Sequence, residues 1–107
     1  MPRYLIEVAH PEERVACLEV VQIFLQTGSH YLGHCDWGCM DGVHKAWITV
    51  DVDSREDALR ILPPLFRARA KVVRLEKFTQ EMVDAMLSPE GVRTGESLPQ
   101  TSIHLPG

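Results

Sequence analysis

Apolar and polar positions alternate from the third residue onward. Tyr4, Ile6 and Val8 fall on one side of an extended segment, residues 3–10, and Leu5, Glu7 and Ala9 on the other. A period of two marks a strand. Pro11, Glu12 and Glu13 then suit a helix start, because proline fits the first helical position and acids favour the positive end of the dipole. Cys17, Leu18, Val21, Phe24 and Leu25 recur at helical spacing, and Thr27-Gly28 supplies the left-handed residue that ends such a helix. Tyr31 to Trp37 reads as a second strand and Val43 to Asp53 as a third, with Ala46, Ile48, Val50 and Val52 opposed by Lys45, Trp47, Thr49 and Asp51. Ser54, Arg55, Glu56 and Asp57 have the form of a capping box. The helix they open is lined by Ala58, Leu59, Ile61 and Leu62 and stopped by Pro63-Pro64. Lys71 to Phe78 alternates again, Val73 and Leu75 against Val72, Arg74 and Glu76. Thr79 caps a last helix bearing Met82, Val83, Met86 and Leu87.

The order βαββαβ plus a terminal helix predicts an α+β protein of the ferredoxin-like kind, with a four-stranded antiparallel sheet and an extra C-terminal helix. Residues 1–87 form the expected domain. Residues 88–107, with prolines and glycines but few large apolar side chains, are expected to be a flexible or partner-packed tail. Helices cover one face of such a sheet. The other is expected to carry Leu5, Glu7, Trp47, Thr49, Val72 and Arg74, half apolar and half charged, so a second copy is the expected cover and a homodimer the expected state.

The run from Thr49 to Leu65, TVDVDSREDALRILPPL, resembles the strand, Ser-capped helix and Leu-Pro ending of muconolactone isomerases, members of the dimeric α+β barrel superfamily. The resemblance covers residues 3 to 78 and implies a fold in which two sheets pack face to face. No catalytic residue of that family maps onto this chain, so the activity is not carried over.

Composition narrows the partners. Of 107 residues, 45% are hydrophobic and 24% charged, with a net charge of −4 and no long basic run, which argues against nucleic acid and anionic membrane. No apolar run reaches the roughly 20 residues that span a bilayer. The start, Met-Pro-Arg-Tyr, lacks a signal peptide's apolar core, so a cytoplasmic location is expected. Cys17, Cys35 and Cys39 are odd in number, which argues for thiols rather than a disulfide framework.

The densest chemistry lies in residues 34–47, read as a β-hairpin holding two histidines, two cysteines, two aspartates and both tryptophans. His34, Asp36, Cys39 and His44, joined by His10, are the candidate metal ligands, with Cys35 beside them. Imidazole and thiolate suit zinc, nickel or copper. A register pairing Tyr4 with Val50 sets His10 opposite His44, although Cys-x3-Cys-x4-His matches no standard zinc module. Cys17, on the apolar helix stripe, reads as core. A second constellation, Glu7, Trp47 and Arg74 with Asp51, Glu76 and His34, suits a small organic molecule held between the open sheet face and the hairpin. Cofactor-independent isomerase-like or oxygenase-like chemistry is the reaction class for that first reading. A metal-binding protein is the second, and an assembly domain without catalysis the third.

Overall fold

The computed structural model describes residues 1–88. Contacts divide the chain into Met1–Glu76 and a second unit from Lys77 onward. Within the first unit, strands β1 (Arg3–Ala9), β2 (Asp36–Trp37), β3 (Lys45–Asp51) and β4 (Ala70–Leu75) form one four-stranded sheet in the order β2-β3-β1-β4, antiparallel at every pair. Helices α1 (Arg14–Gln26), α2 (Arg55–Ile61) and α3 (Pro64–Arg67) connect them. Tyr4, Ile6 and Val8 of β1 and Ala46, Ile48 and Val50 of β3 point into the core, where they meet Val20, Phe24, Leu32 and Phe66. Phe24 packs edge-on against Phe66, with ring centroids 5.1 Å apart. The fold is thus α+β, as the hydrophobic periods require.

Boundaries differ from the sequence reading where side chains offer the backbone an alternative. Helix α1 begins at Arg14, three residues past Pro11, because the Glu13 carboxylate accepts the amides of Val15 and Ala16 and so caps it. Its buried stripe is Cys17, Val20 and Phe24, while Leu18 and Leu25 stay 51% and 59% exposed, one residue further round the helix. Thr27-Gly28 ends α1 as expected, with Gly28 at φ 74°. The strand expected from Tyr31 survives only at Asp36–Trp37. Ser29 takes both the Leu32 amide on its hydroxyl and the Gly33 amide on its carbonyl, winding Leu32–His34 into a 3-10 turn. Pro63-Pro64 does stop α2, but Pro64 also opens α3, a position proline favours.

Strand β4 corrects a face assignment. Lys71 lies opposite Glu7 and Val73 opposite Leu5, whereas Val72 lies opposite Ile6 and Arg74 opposite Tyr4. Val72 and Arg74 therefore share the core side, and Lys71, Val73 and Leu75 share the open side. Each face of β4 carries one valine and one basic residue, so its pattern could not fix the parity, and a shift of one residue exchanges the faces.

In the second unit, α4 (Gln80–Leu87) is capped by Thr79, whose hydroxyl accepts the Met82 amide. The tail expected beyond it, from residue 89 on, lies outside the described residues. No helix among the described residues is long and apolar enough to cross a membrane.

Candidate metal centre

His10 follows directly after β1, and its amide donates to the His44 carbonyl at 3.1 Å, continuing the β1–β3 ladder by one pair. The pairing of Tyr4 with Val50 is the observed register, so His10 and His44 face each other on the core side of the sheet. Cys17 reaches the same place from α1. Its amide closes the first helical turn onto the Glu13 carbonyl at 2.8 Å, and its side chain lies on the buried stripe.

Cys39 comes from the hairpin tip, a 3-10 turn over Cys39–Asp41. The Gly38 carbonyl accepts the amides of both Asp41 and Val43, and Gly42 leaves the turn at φ 81°. Gly38 itself has ordinary φ, and its glycine is required by space instead. A Cβ there would sit 2.7 Å from the Val43 carbonyl oxygen and 2.9 Å from the Trp47 ring.

These four side chains converge. His10 Nε2 lies 3.1 Å from Cys39 Sγ and 3.3 Å from Cys17 Sγ, and the two sulfurs are 3.3 Å apart. One ligand atom from each of His10, Cys17, Cys39 and His44 falls within 4.8 Å of every other, close enough for all four to hold one metal ion. His10 is 7% exposed and Cys17 4%, while Cys39 and His44 are half-buried. Trp37 closes one side, its ring edge-on to His10 at 5.5 Å.

Burial disfavours charge on both inner donors, which suits a neutral His10 ligand but opposes the thiolate that Cys17 must become to bind a metal. Burial, then the neighbouring His44, holds the His10 imidazole below its usual pKa, with the Val8 backbone acting weakly in the opposite sense. A neutral imidazole keeps a lone pair for a metal. Burial, and then the hydrogen bond and charge of Cys39, push the Cys17 thiol up. Nδ1 of His10 and Nδ1 of His44 are buried without a well-formed hydrogen bond. Such groups are rare in folded proteins and call for an explanation.

Two imidazoles and two sulfurs are donors suited to a transition-metal ion. Tetrahedral zinc, with Zn–S near 2.3 Å and Zn–N near 2.0 Å, needs sulfurs roughly 3.7 Å apart and sulfur–nitrogen separations of roughly 3.5 Å. The observed 3.1 to 3.3 Å contacts reach that geometry by opening about half an ångström or less.

Of the ligands expected from sequence, His10, Cys39 and His44 belong to this group, and His34 and Asp36 do not. His34 donates from Nδ1 to the His30 carbonyl at 2.9 Å. With Asp36, His30, Tyr31 and Asp51 it lines a separate concavity of about 500 Å³ along β3. Cys35 packs against the core, and burial with the charge of Asp36 pushes its thiol up to about 11. Cys17 was legible only as a buried stripe position. The signal that could have found it is parity: His10 and Cys17 both face the core at the same end of β1.

On the open face, the Trp47 indole N–H donates to Glu7 Oε1 at 3.0 Å, and Lys45 Nζ lies 3.4 Å from Glu7 Oε2. The expected acid and aromatic meet, but their cation is lysine. Arg74 pairs loosely with Glu76 at 3.8 Å, and Asp51 is held by Arg3 through two hydrogen bonds of 2.8 and 3.1 Å.

Fold and site together define an α+β protein with a Cys2His2 donor cluster at one end of its sheet. No family model, curated protein or solved structure matches the chain.

Proposed function

We infer that this is a transition-metal-binding protein in which His10, Cys17, Cys39 and His44 hold one zinc ion in a structural role. The single observation behind this reading is the convergence of two sulfurs and two imidazoles from four separate elements within 4.8 Å. Four protein donors complete a tetrahedral shell and leave no open position for substrate, which is the pattern of structural rather than catalytic zinc. The ion would bind the hairpin tip to α1 and to the ends of β1 and β3. Copper(I) and nickel compete for such donors. The small-molecule reading loses its guanidinium, because Arg74 belongs to the core-side parity of β4. In this reading the strand order is the ferredoxin-like one.

Zinc titration of the metal-free chain tests the function. One equivalent should bind, and each of His10→Ala, Cys17→Ala, Cys39→Ala and His44→Ala should weaken uptake sharply. At free zinc 1,000-fold above Kd, binding stabilises the fold by about 4 kcal/mol, a shift that thermal melting reads easily. A wild-type chain that takes up no zinc and melts identically with and without chelator refutes the reading.

A further inference from the structure

The two cysteines of the cluster touch each other as well as the imidazole. Their sulfurs are 3.3 Å apart, against about 2.05 Å in a disulfide, so a closure of a little over 1 Å separates contact from bond. They also differ in access. Cys17 is sealed at 4% exposure, whereas Cys39 stands half-buried on the hairpin tip beside the exposed Met40. The third cysteine, Cys35, lies outside the group. An oxidant arriving from solvent therefore meets the Cys39 sulfur first, with a second sulfur 3.3 Å behind it.

We propose that Cys17 and Cys39 form a reversible, peroxide-driven disulfide that ejects the metal, making the centre a redox-controlled staple. The proposal rests on the zinc reading above. The Cys39 thiolate attacks one oxygen of hydrogen peroxide; the O–O bond breaks, leaving Cys39 as a sulfenic acid and releasing hydroxide. The Cys17 thiolate then attacks the Cys39 sulfur, the S–O bond breaks, and a second hydroxide leaves as the S–S bond forms. Two protons convert both hydroxides to water. The two sulfurs lose two electrons and the peroxide gains them. Zinc departs because two of its four donors are gone and two imidazoles alone hold it weakly. A dithiol reductant reverses the oxidation and restores the site.

The full-length chain, loaded with zinc and counted for metal beforehand, is treated with a modest excess of hydrogen peroxide. A chromogenic chelator reads released zinc, and peptide mapping after alkylation locates the cysteines. One zinc should leave for each Cys17–Cys39 disulfide formed, Cys35 should remain alkylated, and reductant with zinc should restore full loading. Cys35→Ser should behave as wild type, and metal-free protein should form the same disulfide. Cys39 recovered as sulfinic acid or joined to Cys35, or zinc retained while thiols stay unreacted, overturns the switch alone. A chain without zinc before oxidant is added refutes the metal site and the ejection with it.

Discussion

Glu7 shows how one side chain on the open face is held. The Trp47 indole hydrogen bond chiefly, then Lys45 and Lys71, keeps its carboxyl below the ordinary 4.5, with burial opposing. A depressed carboxylate pKa stabilises the fold above the unfolded value, and that contribution is lost as pH falls through the folded pKa. Glu7→Gln should therefore cost stability at pH 7 and much less near pH 3. Urea midpoints of both proteins at the two pH values check this, and parallel curves would show that Glu7 carries no such linkage. The sequence revealed that Glu7 and Trp47 meet, since both lie on strands whose parity is unambiguous. Lys45 lies on the same face of β3 as Trp47 and was there to be read, whereas Lys71 was hidden because β4 reads equally well in either parity.

Among the elements, those with strong local signals match their expected form. Strands β1 and β3, the cap of α2 and the glycine end of α1 follow from period and capping chemistry visible in the chain. Ser54 accepts the Asp57 amide at 3.1 Å, so Ser54→Ala should lower stability by about 1 kcal/mol without altering metal uptake. Chemical denaturation beside a zinc count reads both, and lost uptake in a folded variant would contradict the separation. Elements decided by competition were harder to read. Strand β2 shortened because Ser29 offered nearby backbone groups other partners, and α1 started late because a glutamate, an uncommon cap, took that role. The donor cluster was partly legible for the same reason: the β1–β3 register placed His10 against His44, but the rotation of α1 that brings in Cys17 is set by Val20 and Phe24 in the core.

At the scale of the molecule, the donor cluster lies at the end of the β1–β3 pairing, with Trp37 against His10. Tyr4, Ile6 and Val8 lead along one face of β1 to His10, so the donor cluster continues the core in another chemistry. A small domain buries a modest share of its surface, and a metal tie adds stability that packing does not supply. The open face, with Leu5, Trp47 and Val73 around the Glu7–Lys45 pair, is the surface on which a second copy is proposed to sit. Sedimentation of the zinc-loaded chain should give a dimer at tens of micromolar, in keeping with roughly micromolar affinity. A single-chain mass there would leave that face to solvent.

X-ray absorption at the zinc edge tests the central claim most directly, because it reports the donors themselves. The zinc-loaded chain should show two sulfurs at about 2.3 Å and two imidazole nitrogens at about 2.0 Å, with the sulfur count falling to one in Cys17→Ala. A shell of oxygens, or one unchanged by Cys17→Ala, would contradict the assignment of His10, Cys17, Cys39 and His44 as the metal ligands.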